Sequence, residues 1–346
     1  MIKRKQKSKI AVRIVIIYVL VFSAITAYRF LSSDRIELKS SKVNVYIPSD
    51  SSLEQVADSL MKKRVFAKKN RFMQHAKLQG YSKVKGGRYI VTRGMSYRKL
   101  INMLASGSQT PVNLTISGNI RTREQLAAVV SSQIEADSVA ILNLLNNKQM
   151  LAELGFAPEN SILLFMPNTY NVYWNRNPTR LFKDMKKQYD DFWNTKRTSR
   201  LDSLKMSRNE VMIIASIAIE ESSNVDELPR IAGVYINRLR RKMPLQADPT
   251  VKYAVGDFAL RRVLTKHTEH NSPYNTYKHT GLPPGPICIP SPVAVDATLN
   301  YEHHDYLFFC AKDDFSGRHV FAKTLQQHSQ NAETYRRALN KRRIYR

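Results

Sequence analysis

Cysteine and acid are what this chain has least of. Cys288 and Cys310 are the only cysteines in 346 residues, which excludes a disulfide-built fold, although the two could pair with each other in an oxidising compartment. Asp and Glu total 28 against 55 Lys and Arg, a net charge of +27. So one-sided a balance points to a polyanionic neighbour: nucleic acid, anionic lipid or an acidic envelope polymer. The sequence also has no internal repeat, no long low-complexity segment and no His-Glu-x-x-His zinc pattern. His267-Thr-Glu-His270 and His303-His-Asp305 supply ligand types, but not at a spacing that predicts a metal centre. Neither a metal nor a cofactor is expected.

One long apolar run lies at the N-terminus. Lys3, Arg4, Lys5, Lys7 and Lys9 precede a stretch from Ile10 to Leu31 that is interrupted by Arg13 and ended near Arg29. Its length suits the roughly 20 residues that cross a bilayer, and the basic flank, residues 1–9, stays cytoplasmic under the positive-inside rule. Residues 10–31 are therefore expected to be a transmembrane helix. A cleaved signal peptide ending in the small residues Ala24 to Ala27 is the alternative. The chain beyond Ser32 would face the extracytoplasmic side, which makes nucleic acid an unsuitable partner and predicts a single-pass protein of the inner membrane.

The second apolar run is Val211 to Ile219, in which Ser216 alone is polar. Ser207 and Glu210 form a capping box, so a helix starts there, and without a polar face it must lie inside the protein. Glu220 and Glu221 stand at its C-terminal end. A carboxylate against an apolar wall, at the negative end of a helix dipole, is pushed toward its protonated form and can serve as a general acid. Glu221 continues the row of Ile214, Ile217 and Ala218, whereas Glu220 is one position round. The opposing reading is that both glutamates are solvated where the helix reaches water.

The remaining periodicity is mixed, and an α+β fold is expected. Val43 to Ile47 reads as a strand, Ser51 with Glu54 as the cap of a helix carrying Leu53, Val56 and Leu60, Arg71 to Leu78 as a helix, Gly86 to Val91 as a turn into a strand, and Ser96 to Leu104 as a helix. These make a small unit over residues 40–110. The larger unit, 111–346, opens with a strand from Val112 and a helix capped by Thr122 and Gln125. Ala136 to Leu154 reads as helical, Phe165 to Trp174 as an aromatic loop, Leu228 to Arg240 as an amphipathic helix and Lys242 to Tyr253 as a polar turn. Proline-glycine loops, a helix from Val293 to Leu299, strands at Tyr306 to Cys310 and His319 to Phe321, and a basic helical tail complete it. His319 either lines a cleft or packs.

Taken in order, Ile214-Ala-Ser-Ile217, Glu221, Ile236-Asn-Arg-Leu239, Leu245-Gln246, Asp248-Pro-Thr-Val251, Tyr274-Asn-Thr-Tyr277 and Gly281-Leu-Pro-Pro-Gly285 resemble the YceG-like endolytic murein transglycosylases. Gly86-Gly-Arg-Tyr89 resembles that family's LysM-like subdomain. The resemblance implies a membrane-anchored enzyme that cuts nascent peptidoglycan glycan strands, with Glu221 as its acid. It implies partnership with penicillin-binding proteins and the elongation or division machinery. Around the acid it places polar residues of the same motifs as substrate-binding candidates: Asn237, Gln246, Asp248, Thr250, Tyr274, Asn275 and Tyr277. Each of these also suits a structural hydrogen bond. The chain departs from the family at Ile219, Ile162 and Asn168, where relatives carry acids. A peptidoglycan-binding scaffold without activity, and a muramidase that uses water in the same cleft, are the competing functions.

Overall fold

The computed structural model describes residues 13–26, 28, 35–260 and 262–342. Residues 13–26 are helical, and Ile14, Val15, Ile17, Leu20 and Phe22 on that helix are exposed. Among the described residues no helix is long and apolar enough to cross a membrane. The expected segment 10–31 lies partly outside them, at 10–12, 27 and 29–31.

The rest divides into two compact units. The first runs to Asn113 and takes in Asn171–Arg176. Strand β1 (Lys42–Ile47) pairs antiparallel with β2 (Gly87–Thr92), Val45 opposite Tyr89. Alternation puts Val45, Ile47, Tyr89 and Val91 on one face, where helices Leu53–Lys62, Lys69–Leu78 and Tyr97–Ser106 add Val56, Leu60, Phe72 and Leu100 to a single core. The first helix is capped by Ser52 with Gln55, one residue beyond the expected Ser51 with Glu54. Val56, Ala57 and Leu60 face inward and Met61 is exposed.

The second unit comprises Leu114–Tyr170 and Asn177–Arg346. The helical stretch after Ala136 is two helices, Ser138–Asn146 and Lys148–Glu153, because the side chain of Asn147 accepts the Met150 N–H and restarts the second. The expected aromatic loop contains strand β4 (Asn168–Val172), which pairs with β3 (Val112–Ile116). Phe165 is buried edge-on against Phe182, so the ring that leads this segment packs in the core. The expected polar turn contains helix Asp248–Val255, with Pro249 in its first turn, where the missing N–H costs nothing.

The capping box of Ser207 and Glu210 is present and starts the central helix, Arg208–Glu221. Val211 through Ala218 are all buried, and the helix packs on Leu228–Arg240, Asp248–Val255 and Pro292–Leu299. Ser216 answers for being polar there. Its Oγ donates to the Ile213 carbonyl at 2.7 Å and accepts the Ile287 N–H at 3.1 Å, tying the proline-glycine loop to the helix. In that loop a Cβ on Gly285 would stand 2.2 Å from the Glu159 carbonyl oxygen, so only glycine fits. Strands β5 (Phe308–Ala311) and β6 (His319–Ala322) form an antiparallel hairpin against which helix Leu325–Lys341 packs. β5 begins later than expected, because the backbone carbonyls of Tyr306 and Leu307 accept from Asn237 and Arg238. Both cysteines are free, Cys288 buried and Cys310 partly so.

Candidate active site

The end of the central helix opens on a cleft of about 380 Å³ in the second unit. Glu221 lies in its wall, and Oε1 accepts a hydrogen bond of 2.8 Å from the Tyr235 hydroxyl. Burial is the main reason that the carboxyl is pushed up to about 7 from an ordinary 4.5. Nearby Asp248 pushes the same way, while the Tyr235 hydrogen bond, Lys252 and Arg238 oppose it. A carboxylic acid that titrates near neutral pH can give a proton and take one back, which is the requirement for acid-base work on a glycosidic bond.

Glu220 is held elsewhere. Both of its oxygens accept from Arg121 Nη2 at 2.9 Å, in a separate recess of about 110 Å³. One residue of helical rotation, about 100°, therefore separates a paired carboxylate from one kept for the cleft. Ile162 is buried and Asn168 uses its side chain on the Thr169 N–H, so neither departure from the family leaves a carboxylate near the acid.

Of the other expected residues, Gln246, Asp248 and Tyr277 line the cleft with Glu221. The Tyr277 hydroxyl donates to Asp248 Oδ1 at 2.6 Å. Gln246 sits at φ 48°, a left-handed conformation that residues other than glycine seldom adopt. Its N–H is held by the Thr276 carbonyl and the next by Thr276 Oγ1, which fixes the strained residue where its side chain meets the cleft. Asn237, Thr250, Tyr274 and Asn275 are not in the cleft wall. Asn237 Nδ2 donates to the carbonyls of His304 and Tyr306 at 2.6 and 3.1 Å. Thr250 is fully buried and shares its hydroxyl with Ala247 and Thr276. Asn275, also fully buried, donates to the Thr268 and His270 carbonyls. The Tyr274 ring packs on Tyr253 with centroids 4.6 Å apart. Buried carbonyls need donors, and these four motif residues supply them or fill space.

His319, expected from the sequence either to line a cleft or to pack, lines this one, but the other residues of the cleft are not singled out by their sequence pattern. Tyr235 reads as one of the apolar positions of its helix, and only the packing of that helix on the central one turns its hydroxyl into a partner of Glu221. Arg238 lines the cleft, with its guanidinium 4.9 Å from the centre of the Phe308 ring. Phe308 and Phe309 form an apolar wall, and His319 and His328 bring two imidazoles to it. The His328 ring is stacked on Phe308. The two ligand-type clusters serve other ends: His267 Nδ1 accepts the Leu264 N–H, and His304 meets the Arg230 carbonyl. Among the described residues no three His, Cys, Asp or Glu side chains gather into a metal set.

Tyr235→Phe removes the donor that favours ionised Glu221. The carboxyl is expected to rise further, so the alkaline limb of the pH profile of kcat moves upward. Circular dichroism of the variant should match that of the parent, and an unmoved limb would place the titrating group elsewhere.

The chain matches the YceG-like family over residues 45–334. It is 33% identical over 311 residues to an endolytic murein transglycosylase of Bacillus subtilis (strain 168), covering 85% of this chain and 84% of that one. An endolytic murein transglycosylase of Streptococcus pneumoniae serotype 2 (strain D39 / NCTC 7466) is 28% identical over 325 residues. That match covers 84% of this chain but 57% of the longer relative. Among solved structures, the crystal structure of a YceG-like protein from Listeria monocytogenes superimposes with a TM-score of 0.57 at 29% identity, covering 84% of this chain and 98% of that one.

Proposed function

Because the chain belongs to the YceG-like family, we propose that it is a peptidoglycan lytic transglycosylase with Glu221 as its catalytic acid and base. The observation that carries the reading is the state of Glu221: one carboxyl in a cleft, pushed up to about 7 and held by Tyr235. Glu221 gives its proton to the oxygen of the bond between N-acetylmuramic acid and N-acetylglucosamine, and the bond from that oxygen to C1 breaks. The C6 hydroxyl of the muramic acid then attacks C1, and its proton passes to the Glu221 carboxylate. The acid is restored, the ring closes as a 1,6-anhydro end, and no water is consumed. Gln246, Asp248 and Tyr277 bind the sugar, and Phe308 and Phe309 give its apolar face a wall.

Cleavage within nascent strands, which would end their elongation, agrees with the endolytic names of the relatives. In this reading residues 10–31 anchor the chain in the inner membrane with residues 1–9 in the cytoplasm. The first unit is LysM-like and holds the strand, and the +27 charge favours the acidic envelope. Penicillin-binding proteins and the elongation or division machinery are the partners that fit such a place. A water-using muramidase is the second reading, favoured by Asp248 as another carboxylate in the same cleft.

Mass spectrometry of uncrosslinked glycan strands incubated with the full chain separates the readings. Anhydro-ended fragments are expected. Reducing muramic ends would make it a hydrolase, and strands bound but uncut would make it a scaffold.

A further inference from the structure

The cleft holds a second polar centre that the acid-base step does not use. Glu227 is buried, at the end of the short turn Val225–Glu227 that joins the central helix to the next. Its Oε1 accepts the backbone N–H of His319 at 2.9 Å, and its Oε2 lies 3.0 Å from Nδ1 of the same residue. Ser222, the residue after Glu221, reaches Oε2 with its hydroxyl at 3.4 Å. Both carboxyl oxygens thus already act as acceptors, so the ring meets Oε2 as a donor and in the neutral imidazole the proton stands on Nδ1.

The ring is confined as well as bonded. Phe309 meets it edge-on at 5.3 Å and Phe321 at 6.5 Å, and its side chain is 14% exposed. Phe309 also touches Tyr235, whose hydroxyl holds Glu221. His319 and Glu221 thus line one cleft through a common aromatic neighbour, and Nε2 is the imidazole's remaining polar atom. Stapling β6 to the turn requires only the backbone N–H on Glu227. The second contact, to the ring, fixes which nitrogen carries the proton.

We propose that His319 is a substrate-binding residue whose Nε2 accepts a hydrogen bond from a sugar hydroxyl of the glycan, and that Glu227 sets this acceptor by holding the ring proton on Nδ1. The inference rests on the glycan-cleaving reading above. Glu227→Gln provides a direct reversal. The backbone N–H of His319 must keep the amide oxygen, which turns the amide NH₂ toward Nδ1 and moves the ring proton to Nε2. An acceptor in the cleft then becomes a donor.

Nitrogen NMR of the imidazole in the full chain, followed across a pH series to its neutral form, reads the tautomer without reference to activity. The wild type should carry Nδ1–H and Glu227→Gln should carry Nε2–H. His319→Ala should lower kcat/KM about tenfold or more, Glu227→Gln should do likewise, and His319→Gln, with an amide oxygen near the Nε2 position, should recover part of the loss. Nε2–H in the wild type, or His319→Ala cleaving at the wild-type rate, overturns the proposal while leaving the lyase standing. If the wild type binds strands without cutting them, the lyase reading fails and Kd decides: weaker binding by His319→Ala supports the proposal, and equal binding overturns it. A wild-type chain that neither cuts nor binds strands overturns both.

Discussion

Glu221→Gln is expected to reduce glycan cleavage by about 10²- to 10⁴-fold, the usual contribution of a positioned acid-base group, while Glu220→Gln stays near the wild-type rate. The two glutamates are adjacent in sequence, but one is paired with Arg121 and the other faces the cleft. Release of anhydro-ended fragments by the two variants measures the contrast, and equal losses would remove Glu221 from its special place. Since the acid must be protonated to start the reaction, wild-type cleavage should fall as pH rises through about 7. Stability should move with it. The folded state raises this carboxyl above its unfolded 4.5, so the native protein binds the extra proton between about 4.5 and 7 and loses stability as pH climbs through that window. Glutamine can still accept from Tyr235 and carries no charge. Glu221→Gln should therefore melt higher than wild type above pH 7 and converge with it near pH 4, an active site held at a cost in stability.

Arg238→Met should destabilise the second unit by about 3–5 kcal/mol, the largest effect expected from one substitution away from the reacting bond. Arg238 is buried, and its Nε donates to the Leu307 carbonyl at 2.6 Å. Its Nη1 reaches the Leu245 carbonyl at 2.8 Å, the Pro244 carbonyl at 3.2 Å and Gln246 Oε1 at 3.3 Å. Methionine fills much of the volume but leaves those carbonyls without a donor, each at about 1–3 kcal/mol. Lysine keeps the charge without the planar fork and should recover only part of the loss. Urea unfolding of the three proteins measures it. A methionine variant within about 1 kcal/mol of wild type would mean that water replaces the guanidinium. The geometry also makes Arg238 the brace that holds Gln246 and Phe308 in the cleft wall.

Where Gln246, Asp248 and Tyr277 differ from Asn237, Thr250 and Asn275 is in nothing that composition or spacing records. All six are polar residues of the same ordered motifs, and each can donate or accept. Three find partners within the fold: Asn237 bonds to carbonyls 67 and 69 residues away, Thr250 to Thr276, and Asn275 to the carbonyls of Thr268 and His270. The others also have partners, Tyr277 donating to Asp248 and Gln246 accepting from Arg238, but they stand in the wall of the cleft.

Local signals were legible because their cause is local. The capping boxes of Ser207 with Glu210 and Thr122 with Gln125 are contacts three residues apart, and the apolar run from Val211 to Ala218 states its own burial. Glu221 could be told from Glu220 because a fixed helical rotation separates adjacent side chains. The same local evidence slipped by one residue at Ser52, where neighbouring serines offer equivalent caps. It also missed strand β4, whose pairing with β3 is long-range. By itself, then, the sequence determined the α+β class, the buried helix and which of the two glutamates at its end continues the buried row. Only the tertiary structure decided that Tyr235 holds that acid, that Arg238 braces the wall and that Glu227 orients His319, since a hydrogen bond between distant residues exists only after the helices that carry them have packed.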